Sequence, residues 1–169
     1  DDEKTYRLGL LATGVAPPET LRNRVTTGMA LPDRLQEMRL DATVTFDKPW
    51  DISAINQARP QPRHIDLALA RVEWGELALQ VAADLEVDEN GQARGDVSLQ
   101  ARNWRQMLQG AVAAGALDAS AAGLAESTLG LMARMGGNPD TLDITLSLRD
   151  GRIYLGPVSL GAAPVFRLR

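Results

Sequence analysis

The chain has 169 residues, of which 44% are hydrophobic, and a formal charge of −4 with the two signs interleaved; that is length enough to bury one core without a metal or disulfide staple. It contains no cysteine, which excludes disulfides, thiolate metal sites, iron–sulfur clusters and thiol nucleophiles. No basic stripe suits it to nucleic acid, no run approaches the ~20 apolar residues that span a bilayer, and Asp1-Asp2-Glu3-Lys4 is unlike the start of a signal peptide. A single β-rich domain over residues 1–169 is expected.

Tyr6 to Leu10 reads as a strand, and Pro17-Pro18-Glu19-Thr20 can open a short helix. Met38 to Phe46 and His64 to Val72 are further strands, separated by the breaks Asp47-Lys48-Pro49 and Arg59-Pro60-Gln61-Pro62. A tight connection at Trp74-Gly75 then leads into the most regular stretch. Leu77, Leu79, Val81, Ala83, Leu85 and Val87 alternate with polar or small residues, a period of two that predicts a strand with one buried face. Ala93, Gly95, Val97, Leu99 and Ala101 continue the apolar parity beyond the turn.

A two-residue Asn90-Gly91 turn would set Val87 against Arg94 and put an apolar face against a polar one. A three-residue loop Glu89-Asn90-Gly91, with Gly91 left-handed, instead pairs Val87 with Ala93, Ala83 with Val97, Val81 with Leu99 and Glu86 with Arg94.

From Asn103 the period becomes helical. Asn103 can cap a helix with Trp104, Met107, Leu108, Ala111 and Val112 on one stripe, and the spacing makes Trp104 a core anchor. Asp118 can cap a second helix with Leu124, Thr128, Leu131, Met132 and Met135 on its stripe, stopped by Gly136-Gly137-Asn138-Pro139. The last hairpin runs from Leu142 to Leu148 and from Ile153 to Leu155 about an Asp150-Gly151 turn, which pairs Leu148 with Ile153 and Leu146 with Leu155; Gly156-Pro157 ends it. Strands on both sides of a helical pair predict an α+β fold, an antiparallel sheet of long hairpins with a helical pair (about 103–136) packed on it.

Catalytic signatures are absent. His64 is the single histidine, placed at a strand start with no second histidine to complete a metal set. No nucleophile elbow, phosphate loop, dinucleotide fingerprint or zinc-binding helix motif occurs. Asp47, Asp51, Asp84, Glu86 and Asp96 read as solvated strand surface. Asp88-Glu89-Asn90-Gly91 resembles a calcium loop only in its opening, because the glycine falls too early and Arg94 stands at a ligand position. Arg94-Gly95-Asp96 spells an adhesion tripeptide but lies within a strand. No catalytic, cofactor-binding or metal-ligating residue is therefore assigned, no cofactor is expected, and the chain reads as a non-enzyme.

Gln106 to Ala125 carries one charge, Asp118, among Ala, Gly, Leu and Met, so something must cover it. The sheet and the sister helix are one cover. A lipid or a protein partner is the other.

Several short elements, in order, resemble a family of uncharacterised alphaproteobacterial envelope proteins, domain of unknown function 2125. They are Phe46-Asp47-Lys48-Pro49, Trp74-Gly75-Glu76-Leu77, Val87-Asp88 with Gly91 and Gly95, and Asn103-Trp104-Arg105-Gln106-Met107-Leu108. Gly137-Asn138-Pro139, Asp150-Gly151-Arg152, Leu155-Gly156-Pro157-Val158-Ser159-Leu160-Gly161 and Ala163-Pro164 complete the set, which spans about residues 36–166. The resemblance implies a periplasmic protein with an N-terminal inner-membrane anchor and a preceding β-rich half, of which this chain is a C-terminal portion. The strand, turn, strand and Trp-containing helix are also similar to repeats of AsmA-type envelope proteins. Neither likeness supplies a function; with the apolar helical segment they lead to the expectation of a non-enzymatic periplasmic envelope domain that holds a lipid or acyl chain in a groove between sheet and helices, and the alternative is a module that binds another envelope protein.

Overall fold

The computed structural model describes residues 4–25, 31–51, 59–113, 115 and 118–168. Asp1 to Glu3, and residues 114, 116 and 117 of the expected helical span, lie outside that set. Eight strands form one antiparallel sheet in which each pairs with its sequence neighbours: β1 (Thr5–Val15), β2 (Leu35–Phe46), β3 (Pro62–Trp74), β4 (Leu77–Val87), β5 (Ala93–Arg102), β6 (Thr141–Arg149), β7 (Arg152–Leu155) and β8 (Val158–Ala162). Helix α1 (Glu19–Val25) joins β1 to β2, while α2 (Trp104–Ala113) and α3 (Ala119–Met135) fill the connection from β5 to β6. The α+β layout holds, with strand dominant.

Strand parity organises this sheet. The β4–β5 pairs are Val87↔Ala93, Glu86↔Arg94, Ala83↔Val97 and Val81↔Leu99, the register that alternation predicts. The turn is built as expected. Gly91 has φ 80, its N–H donates to the Asp88 carbonyl, and the Asp88 carboxylate accepts from the N–H groups of Asn90 and Gln92. At the second hairpin Leu148 pairs with Ile153 and Arg149 with Arg152, about Asp150 and Gly151, both with positive φ.

In β3 the apolar residues change parity, from Ile65 and Leu67 to Ala70, Val72 and Trp74. An uninterrupted strand would send half of them into water. Bulges prevent this, because the β3–β4 register slips between Leu67↔Ala83 and Ala70↔Val81 and the β2–β3 register slips between Asp41 and Ala42. One face is thus apolar from Leu8 and Leu10 of β1 to Ile153 of β7, and the other is polar.

Both ends of the apolar face are covered. At one end Trp104 and Ala133 pack with Ala101, Leu142, Ile144 and Leu155, joined by Met107, Leu108 and Leu129. Trp74 belongs to the same end of the sheet, where its indole N–H donates to the Pro32 carbonyl. At the other end Phe166 and Ala163 close over Leu85, Val87, Ala93 and Leu148. There the Gln61 side chain bonds the backbone of Leu168 at 3.0 Å in both directions.

The helix termini depart from the expected caps. Asn103 is left-handed, with φ 58, and its side-chain amide donates to the Glu76 carbonyl, while its own carbonyl receives the first helical N–H groups. Asp118 occupies the N-cap of α3 without a side-chain bond. The α3 stripe is also corrected. Leu124 and Met135 are 74% and 81% exposed, with Leu131 and Met132 exposed beside them, whereas Ala122 and Ala133 turn inward with Leu129. Gly130 lies on the same inward side, where a Cβ would make ordinary van der Waals contact with the Arg105 guanidinium at 3.4 Å and the Trp104 ring at 4.0 Å. Small residues let α3 approach closely, and the larger ones are left outside.

Three substitutions test this construction. Gly91→Val should cost about 1–3 kcal/mol, because its Cβ would be strained and would meet Val165 and Phe166 at 3.0–3.2 Å. Asn90→Ala should stay within about 0.5 kcal/mol, so equal urea midpoints for the two variants would refute the register. Trp104→Ala should cost about 3–5 kcal/mol, since the ring is 3% exposed and its N–H donates to the Pro139 carbonyl at 3.0 Å. A near-native melt for that variant would show that Trp104 is not a core anchor.

Candidate functional site

Of the acidic residues singled out by sequence, Asp84, Glu86 and Asp96 share one face of the sheet, while Asp47 and Asp51 lie apart from them. Asp84 of β4 stands directly opposite Asp96 of β5 and also opposite Asp66 of β3, which makes a row of three carboxylates on the polar face. His64 reaches Asp84 at 3.4 Å, and the Ser147 hydroxyl donates to Asp96 at 2.8 Å. Glu86 lies between His64 and Arg94. Asp47 sits apart in the β2–β3 connection, accepting from the Gln61 N–H at 2.8 Å and facing Arg63 at 3.8 Å. Asp51 is exposed in the same connection. Among the described residues no group of three His, Asp or Glu side chains is arranged to hold a metal. An open strand surface keeps these groups hydrated, so the row supplies neither a desolvated base nor an activated nucleophile.

The short elements that carry the family resemblance have structural work. Asn103, Trp104 and Arg105 meet the turn at Pro139-Asp140, through the Asn103 N–H on the Asp140 carbonyl and the Arg105 guanidinium on the Pro139 carbonyl at 2.8 Å. Gly91 receives the Phe166 N–H, and Gly151 receives that of Ala163. Gly95 presses against β4 so tightly that a Cβ would stand 2.0 Å from the Asp84 carbonyl oxygen. The adhesion tripeptide is therefore a strand contact and not a loop tip.

The apolar face is the more distinctive surface. Between its covered ends Leu40, Leu67 and Val81 are half-buried and Ala42 is buried, and towards β1 the side chains of Leu8 and Leu10 are 51% and 46% exposed. Sequence reasoning found the parity but not this gap. Leu8 and Leu10 lie in a stretch read simply as a strand, and nothing local says how far a cover reaches. A second apolar feature is a shallow cleft of about 350 Å³ between α2 and α3, lined by Leu108, Val112, Ala113, Ala119 and Ala122. Among the described residues no helix is long and apolar enough to cross a membrane.

Ion pairs on the polar face set the acid response. Arg7 grips Asp41 through two bonds of 3.1 and 2.9 Å, and this hydrogen bonding holds the carboxyl below the usual range. Arg71 does the same to Glu73. A depressed folded pKa contributes stability that is present above the unfolded values of about 3.9 and 4.3 and is lost as pH falls through the folded ones. Asp41→Asn should therefore unfold more easily than the parent at pH 6, with the gap closing on acidification below about pH 4. A gap independent of pH would refute the assignment.

No curated protein and no solved structure matches the chain. The family described as "Uncharacterized protein conserved in bacteria (DUF2125)" matches residues 1–164, which extends the resemblance from the 36–166 span back through β1 and α1. Turns, close-approach glycines and the helix stitch all fall inside that match, and the chain belongs to the DUF2125 family of uncharacterised bacterial proteins.

Proposed function

We propose that this chain is a non-enzymatic domain of the bacterial periplasmic envelope that lays an acyl chain along the uncovered middle of its apolar sheet face. The observation that carries the reading is the exposure of Leu8 and Leu10, 51% and 46%, on the apolar face of β1. Beside them Leu40 and Leu67 are only half-buried, and an apolar surface of that kind calls for an apolar occupant. The likeness to alphaproteobacterial envelope proteins and to AsmA-type repeats supports the periplasmic location and an N-terminal inner-membrane anchor in the longer protein.

A second reading has its own support. The exposed α3 stripe of Leu124, Leu131, Met132 and Met135 suits a helix-in-groove contact with another envelope protein.

One preparation tests both readings. Protein expressed in the envelope and purified without detergent is extracted with organic solvent, and the extract is examined by mass spectrometry. Stoichiometric lipid is expected, reduced severalfold in Leu10→Gln and unchanged in Leu131→Gln. A clean extract would overturn the groove, and a co-purifying protein released by Leu131→Gln would establish the second reading in its place.

A further inference from the structure

β1 is an outer strand of the sheet and pairs with β2 alone. Its register runs unbroken from Thr5↔Thr45 to Thr13↔Glu37, so alternate N–H and C=O groups point away from β2 along an unbulged edge. Between Arg7 and Thr13 no described residue outside β2 bonds to this backbone. Both ends of the edge are pinned. Tyr6, Phe46 and Trp50 stack edge to face at one, with centroids 5.7 Å apart in both contacts, and at the other the Arg34 guanidinium donates to the Gly14 carbonyl at 2.8 Å. The stretch between them is therefore ordered before any partner arrives, which lowers the cost of binding one.

Sheet edges are ordinarily blunted by brevity, proline, lysine or a bulge. The opposite edge has such protection, since β8 is five residues long, follows Pro157 and meets β7 through a register shift. β1 has none. Its eleven residues include no proline, lysine or acid, and its one charge, Arg7, is drawn back onto Asp41. Every residue from Arg7 to Leu11 is exposed, which leaves Leu8 and Leu10 open on the apolar face and Leu11, 66% exposed, on the polar one. A ligand lying on one face would cover only the first two, whereas a strand added at the edge adjoins all three.

We infer that β1 joins β1 of a second copy of this chain, antiparallel about a two-fold axis at Gly9, so that the two sheets become one. A two-fold axis normal to the sheet pairs residues of like parity, and the apolar faces of the two copies then coincide. Centred on Gly9, it sets Leu8 opposite the second copy's Leu10, Thr5 opposite its Thr13, and Leu11 opposite its Arg7, whose aliphatic stem can cover that leucine. The two Arg7 residues stay about 14 Å apart, beyond the screening length at physiological salt, and Asp1, Asp2 and Glu3 of the two copies precede opposite ends of the joined pair. Neighbouring centres fit less well. An axis at Leu8 would bring the arginines to about 8 Å, and one at Leu10 would leave Leu11 facing a glycine. The pairing goes beyond the acyl-groove reading and does not require it.

Because the chain has no cysteine, single cysteines at positions 7 to 11 report the pairing in whole cells that express the protein, treated with a short bis-maleimide. Gly9→Cys should link to itself most strongly, since position 9 meets its own copy and nothing stands within 4 Å of a Cβ there. Arg7→Cys and Leu11→Cys should link only when the two are expressed together. In sedimentation equilibrium the purified chain should be a dimer, and Leu11→Lys, which opposes the second copy's Arg7, should dissociate about tenfold more readily than Leu11→Glu. Arg7→Gln should abolish that difference, which a merely structural effect of position 11 would survive. Absence of self-linking at every position in cells would overturn the inference, as would links to a different protein; strongest self-linking away from position 9 would overturn the register.

Discussion

The fold depends on keeping apolar side chains on one face of eight consecutive strands. Alternation has a period of two, so one misplaced residue would transfer a whole strand's apolar set into water. The chain meets this constraint at three kinds of place. The Gly91 loop adds the residue that brings β5 into phase with β4, the bulges near Ala68 and Asp41 rephase β3 with its neighbours, and Gly95 lets two backbones approach where any Cβ would collide. Each is a local backbone device, and each matters because of the global face.

Covering that face is a separate problem, solved with little material. Helix α2 packs against α1 and α3, and α3 against β6. The start of α2 is stitched to the turn that follows α3 through Asn103, Trp104 and Arg105, while the C-terminal segment is tied to the β2–β3 connection through Gln61 and Leu168. Among the described residues these covers leave Leu8 and Leu10 of β1 exposed.

How much was legible in the sequence follows from the range of each signal. Hairpin registers could be read because parity and turn chemistry lie within a dozen residues. Trp104 could be read as an anchor because its stripe is local. The inward face of α3 could not. Leu124, Leu131 and Met135 form the stronger apolar stripe, yet Ala122, Gly130 and Ala133 face inward, Gly130 and Ala133 beside Trp104, a choice made by tertiary packing. The Tyr6, Phe46 and Trp50 corner was equally hidden, since its members come together only once β1 and β2 pair.

The nearest-neighbour order of the sheet has a kinetic consequence. The longest connection is that of the β5–β6 pair, which must span residues 103–140, followed by 16–34 between β1 and β2 and 47–61 between β2 and β3. Loop closure is therefore cheap for most of the sheet, and hairpins such as β4–β5 can form while later segments are still uncoiled. The contact between Gln61 and Leu168 bridges 107 positions and belongs to the last events of folding. Unlike the hairpin registers, the C-terminal cover is held by a contact distant in sequence and not by a turn.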